Sequence, residues 1–193
     1  MQTKDKILEA ALALYNSNGV NNITTRHIAA SINISAGNLH YHFKHTDDII
    51  QALYDRLSGE FDGIISRIQQ ANIENLESLS AFAYESFELV YKYRFIFLGF
   101  VDIGARIPSI KAAYQQLMRK RKREFKGVFR LLVSNGTFRD DIPDTVWTAL
   151  VTQIFIVADF WLSNNELTLQ LEGKKAINHY TKVFEAMFFP YMR

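Results

Sequence analysis

Between Ile23 and Leu53 the chain reads ITTRHIAASINISAGNLHYHFKHTDDIIQAL, two short helical patterns joined by a tight turn and followed by a fresh helix start. Helices this short are marginal alone, so a unit of this kind exists to present a surface. Here that surface is small, polar and aromatic, which suits a DNA groove. Thr24 is placed to cap a helix from Thr25 to about Ile32, and Ser35 to cap one from Ala36 to about His42. Their side-chain oxygens can accept from the N–H groups that a first turn leaves unbonded. Thr46 reads as the cap of a fourth helix, whose first-turn Asp47 and Asp48 complement its positive end. The turn needs a residue tolerant of left-handed geometry, and Asn33 is one of the few non-glycines that suit. The two short helices must also cross closely, which assigns Ala29, Ala30 and Gly37 to the crossing. Ile28, Ile32, Ile34 and Leu39 then make a small core. In a helix-turn-helix the second helix enters the major groove by its N-terminal end, and this segment fits that arrangement.

The rest of the chain is helical by pattern. Ile7, Leu8, Ala11, Leu14 and Tyr15 recur at helical spacing before a stop at Gly19. In the fourth helix Ile50, Leu53, Leu57, Phe61, Ile64 and Ile68 step by three and four, so it is long. Further helices are expected near 75–92, 95–105, 108–135, 143–164 and 173–190, with Pro108 and Pro143 at starts and Gly136 and Gly173 at breaks. No segment alternates with period two. The fold expected is all-α: a helix-turn-helix domain over residues 1–46, joined by a long helix to a larger helical domain over 47–193. Only Tyr15, Tyr41 and Phe43 among 26 aromatics precede residue 54, so the second domain holds the apolar interior.

The chain has no cysteine, which removes disulfides, thiolate zinc sites and cysteine nucleophiles. The N-terminus lacks a signal-peptide pattern, and the longest apolar run, Phe95 to Val101, is too short to cross a bilayer. A cytoplasmic protein without a membrane partner is expected. Net charge is +2. Over residues 1–50, Lys4, Lys6, Arg26 and Lys44 are balanced by Asp5, Glu9, Asp47 and Asp48, so DNA binding must come from charge placement rather than a broad positive field. Four histidines lie between 27 and 45, but His40 and His42 point about 200° apart on a helix and no third ligand joins His42 and His45. No metal or other cofactor is expected. Nor is an enzyme, because no nucleophile–base pair or glycine-rich phosphate loop is visible.

Through Ala10-Ala11, Gly19, Thr24-Thr25-Arg26-His27-Ile28-Ala29, Ile34-Ser35-Ala36-Gly37-Asn38-Leu39 and His42-Phe43, residues 5–55 resemble the tetracycline-repressor (TetR) family of bacterial transcription factors. Three positions depart from it: the family commonly has Gly at Asn33, Tyr at His40 and Lys at Thr46. The resemblance implies that Thr25 and Tyr41 hold phosphates with help from Lys44, and that His40 does so through a ring nitrogen. Arg26 would reach a phosphate or a guanine edge. Ala36, Gly37 and Asn38 would face bases, Asn38 reading an edge. Ser35, His42 and Thr46 complete the DNA-facing set, Ser35 chiefly as a cap. Phe43 is expected in the core and Tyr41 outside it.

The resemblance also implies a homodimer on a palindromic operator, made by the last two long helices. Trp147, Val151, Ile154, Phe155, Trp161, Tyr180, Phe184 and Phe188 are assigned to that contact, since a helix apolar on more than one face needs more than one neighbour. Phe82, Phe87, Tyr91, Phe97, Phe100, Tyr114, Phe129 and Asp159 are assigned to a pocket for a small apolar or amphipathic effector such as a lipid-like acid. Arg94, Asp102 and Arg106 would also orient a ligand there. The basic run Arg119–Arg123 wraps a helix and is expected to be largely solvated; Gly59 and Gly63 either admit a close helix or soften the connector. The alternative is a helical carrier or protein-interaction regulator of the same fold that does not read DNA.

Overall fold

The structure, a computed structural model, describes residues 2–70 and 76–193. Its helices are α1 (Thr3–Asn18), α2 (Thr25–Ser31), α3 (Ala36–His42), α4 (Thr46–Gln70), α5 (Leu76–Lys92), α6 (Arg94–Leu98), α7 (Phe100–Arg106), α8 (Pro108–Ser134), α9 (Asp144–Leu167) and α10 (Gly173–Ala186). Residue 75, expected at a helix start, and the side chain of Ile68 lie outside the described residues. No strand occurs among the described residues, only an isolated bridge between Phe138 and Met192. The chain is all-α, as its periodicity predicts. It divides into two compact units, Met1–Gly59 with Tyr93–Ala112, and Glu60–Lys92 with Ala113–Arg193. The helix-turn-helix lies within the first.

In the first unit α1 packs on α2 and α6, and α2 on α3. Ile7, Ala11, Tyr15, Ile28, Leu39, Ile49, Ile50, Leu53, Phe95 and Ile96 form its core. Tyr15 and Phe95 stand 5.1 Å apart by ring centroid. Asn16 Oδ1 accepts from the Phe95 N–H at 3.1 Å and so satisfies a donor near the start of α6. The single helix expected over 95–105 is instead α6 and α7, divided at Gly99. At the α2–α3 crossing, Ala29 is buried but Ala30 is exposed. A Cβ on Gly37 would meet only Ser35 Oγ, at 3.9 Å. Adjacent helical residues diverge by about 100°, so one of the two alanines had to face away, and Gly37 takes the outer face of α3.

In the second unit α5 packs along α10, and α10 on α9. Aromatic rings run through its interior: Phe82 meets Phe125, Phe125 meets Phe129 and Phe155, and Phe129 meets Trp147, Phe138 and Phe188. The chain of rings continues through Phe184 and Tyr180 to Phe87 and Trp161. Pro108 opens α8, Pro143 immediately precedes α9, and Gly136 turns with φ +81° after α8. α10 stops at Ala186, short of the expected residue 190, and Phe189–Tyr191 form a 3-10 turn. There the Arg139 N–H donates to the Tyr191 carbonyl at 2.9 Å.

Three expectations are refined by the structure. Arg119, Lys120, Lys122 and Arg123 are exposed, so the basic run is largely solvated, but Arg121 is 4 % exposed, with Asp62 and Glu124 each at 2.7 Å, while Lys120 reaches Asp62 at 2.9 Å. A five-residue run covers the whole circumference of a helix, so one member must point inward, and these acids let it. Of the dimer residues, Val151, Ile154, Trp161, Tyr180, Phe184 and Phe188 are buried within the single chain, and Trp147 and Phe155 are half-buried. Side chains already enclosed have little surface to offer a partner. The outward apolar residues of α9 are instead Ile156, Phe160 and Leu167. Composition showed α9 to be apolar on two faces but not which face the fold covers. By length and composition α9 could also cross a membrane. Thr152, Gln153 and Asp159 interrupt its apolar sequence, so it holds no long uninterrupted apolar run. Finally, a Cβ on Gly59 would meet nothing within 4 Å, and one on Gly63 only Arg67 Nη1 at 3.9 Å, so among the described residues no helix of this chain packs closely on either, which leaves the softened connector of the two readings.

Candidate functional site

The reader is assembled from caps outward. Thr24 Oγ1 accepts from the His27 N–H at 3.4 Å, and His27 Nδ1 accepts from the Thr24 N–H at 3.3 Å. This reciprocal box uses a histidine where glutamate is usual, a role that counting histidines as metal ligands passes over. α2 then ends as Asn33 adopts φ 55°. The Ile34 N–H bonds the Ala29 carbonyl at 3.1 Å and the Asn33 N–H bonds the Ala30 carbonyl at 3.2 Å, a left-handed helix stop. Ser35 Oγ accepts from the Asn38 N–H at 3.1 Å and starts α3. Leu39 and Phe43 point inward from α3 and its end.

What α3 leaves outside is a contiguous polar edge. Ser35, Ala36, Gly37, Asn38, His40 and Tyr41 are exposed, as are Arg26 and Lys44, while Thr25, His42 and Thr46 are partly so. Tyr41 is 86 % exposed and touches His42 edge-on at 5.3 Å. The structure therefore brings the expected DNA-facing residues onto one unit. Lys4, far off in sequence, places its Nζ 5.6 Å from the Phe43 ring at the end of α3. Thr46 is the first residue of α4, and it is Asp48 that accepts from the His45 N–H, at 2.8 Å. Arg106, expected at an effector, instead lies 3.1 Å from Asp47 and donates to Asn21 Oδ1 at 3.2 Å.

The residues assigned to an effector are brought together only in part. Phe97 and Phe100 stack at 6.2 Å in the first unit. The other six belong to the second. Phe87 stacks on Tyr180 at 4.0 Å, and Tyr91 accepts from the Gly173 N–H at 3.1 Å, pinning the start of α10. Phe82 borders an open recess of about 620 Å³ with Ile64, Arg67, Tyr84 and Thr181, and Phe129 a cleft of about 210 Å³ with Lys126, Arg130 and Trp147. Tyr114 donates to the carboxylate of Asp159, which is 7 % exposed. Burial pushes the Asp159 carboxyl up to about 6, and the Tyr114 hydrogen bond holds it from rising further. Burial also raises the Tyr180 phenol, with the Asp159 carboxylate adding to the effect. Ser86 Oγ and His179 Nδ1 are buried in this unit without a protein partner.

The chain matches the family profile described as "Bacterial transcriptional repressor" (TetR) over residues 42–193, and the one described as "Bacterial regulatory proteins, tetR family" over residues 7–53. It is 25 % identical over 161 residues to the HTH-type transcriptional repressor KstR2 of Rhodococcus jostii, covering 76 % of this chain and 78 % of that one. A TetR-family transcriptional regulator of Marinobacter aquaeolei VT8 superposes with a TM-score of 0.90 at 25 % identity, over 100 % of this chain and 92 % of the other. SmeT, the repressor of a Stenotrophomonas maltophilia multidrug efflux pump, superposes with a TM-score of 0.73 at 18 % identity, over the same shares, a likeness of fold alone.

Proposed function

This chain belongs to the TetR family of bacterial transcriptional repressors, and from that premise we propose that it acts in the cytoplasm as a two-fold dimer on a palindromic operator, released by a small apolar or amphipathic molecule. The observation that carries the reading is the outer edge of α3: both caps are in place, Asn33 closes the turn, and Ser35 to Asn38, His40 and Tyr41 stand exposed. Asn38 reads a base edge; Thr25, Tyr41 and Lys44 hold phosphates; Arg26 supplies backbone affinity. Selecting bound fragments from random duplexes tests this. A palindrome with half-sites about 34–36 Å apart is expected, and no enrichment at low salt would sink the proposal. Asn38→Ala should relax base preference, whereas Arg26→Ala should weaken binding on every sequence alike.

The second copy docks on the outward face of α9, through Ile156, Phe160 and Leu167, since these large apolar side chains stand exposed on the single chain. The effector enters the aromatic interior of the second unit, where Tyr114 and Asp159 supply its polar handle. A buried acid held at an energetic cost is what a functional position shows. A carboxylate there repels an acidic headgroup, so the effector meets Asp159 with a hydrogen-bond donor or an uncharged end. Release follows from population shift: the effector favours a dimer geometry in which the two copies of α3 no longer match the operator, by its differential affinity for the two states. Native mass spectrometry of the purified dimer looks for retained ligand, and an empty, water-tight interior would count against the pocket.

A further inference from the structure

The first turn of α4 carries Asp47 and Asp48 and no cation. α4 begins four residues after α3 ends, a span of at most about 14 Å. Acids so near the exposed edge of α3 lie within roughly one or two screening lengths, about 10 Å at 0.1 M salt, of any phosphate docked there. Two devices restrain them. Asp48 is occupied with the His45 N–H. Asp47 is met by Arg106, whose Nε lies 3.1 Å from Oδ1 and whose Nη1 also holds Asn21, in the turn between α1 and α2. Arg106 is the last residue of α7, sixty positions beyond the helix-turn-helix. Side chains of this pair are 37 % and 42 % exposed, and pairs so exposed add little to stability. Stability therefore does not explain it, and its position does.

Resting on the reading of this chain as a DNA-binding regulator, we propose that Arg106 is a positioning residue for DNA binding: it neutralises Asp47 at the mouth of the reader without touching DNA. The reader's charge is then completed by a residue from outside its own sequence, and a shift of α7 that parted the pair would leave a bare acid facing the phosphates.

The test uses the full chain and a fluorescein-labelled duplex of mixed sequence at low salt, followed by anisotropy, with thermal melting to confirm folding. Arg106→Gln should weaken binding about twofold per protomer and about fourfold for two protomers on one duplex, as an uncompensated charge about 10 Å from a phosphate requires in water. In an Asp47→Asn background the same substitution should cost nothing, and Arg106→Lys should keep most of the affinity. An equal loss in both backgrounds with a shallower salt dependence would mean that Arg106 grips a phosphate itself, which overturns the proposal. So would no loss in either background, or a loss in Arg106→Gln that tracks a lower melting temperature and is not restored by Asp47→Asn. Failure of the unaltered protein to bind the duplex would overturn the DNA reading itself, an outcome separate from these.

Discussion

Asp159 is the position where the structure makes its sharpest energetic statement. Its carboxyl is raised from 3.8 to about 6 by burial against one hydrogen bond from Tyr114. A shift of about two units corresponds to about 3 kcal/mol between protonation states. Because the folded pKa lies above the unfolded one, the folded chain holds this proton more tightly. The stability it contributes is complete below about pH 4, is lost as pH rises through about 6, and is absent at about pH 7. Asp159→Asn replaces the carboxylate with a neutral group of the same shape that still accepts from Tyr114. The variant should match the unaltered protein at about pH 4 and exceed it by up to about 3 kcal/mol at about pH 7, less whatever water penetration relieves. Urea unfolding across that range, at one fixed protein concentration because a dimer's stability depends on it, gives the difference curve directly. A flat difference, or an Asn variant that is the weaker at neutral pH, would refute the assignment.

Phe160→Glu on the outward face of α9 should convert the dimer to monomer in sedimentation at micromolar concentration. Each buried phenylalanine is worth about 1.5–3 kcal/mol and the two-fold axis counts it twice; an intact dimer would place the interface elsewhere. Arg121→Ala should destabilise by about 1–2 kcal/mol by calorimetry, since it empties a buried position and takes the cation from the half-buried Glu124, while Asp62 keeps Lys120; an unchanged melting temperature would show the pairing to be incidental. Gly59→Ala should stabilise by about 0.5–1 kcal/mol, because the site is helical and open; destabilisation would reveal a close contact there.

What the sequence made legible was local. The caps at Thr24 and Ser35, the left-handed turn at Asn33 and the proline starts at Pro108 and Pro143 each depend on a few adjacent residues, and each stands where the pattern puts it. What it hid was pairing over distance. Nothing near Arg106 points to Asn21 or Asp47, and nothing near Arg121 points to Asp62. The division of α9 into an enclosed face with Val151, Ile154 and Trp161 and an outward one with Ile156, Phe160 and Leu167 was equally hidden. All six are apolar, and hydropathy does not record what covers a residue. Tyr41, on α3, stands exposed and Phe43, just beyond its end, is buried, as expected.

The inclusion of Tyr93–Ala112 in the first unit bears on how the protein is made. Phe95 and Ile96 are buried there, and α6 packs against α1. A chain leaving the ribosome N-terminus first thus presents Tyr15 and its neighbours before the segment that covers them exists. At about 5–20 residues per second, the stretch from Gly59 to Ala112 takes roughly 3–10 s to follow. For that interval the nascent reader holds an unfinished apolar surface, which closes only once more than half of the chain has been synthesised.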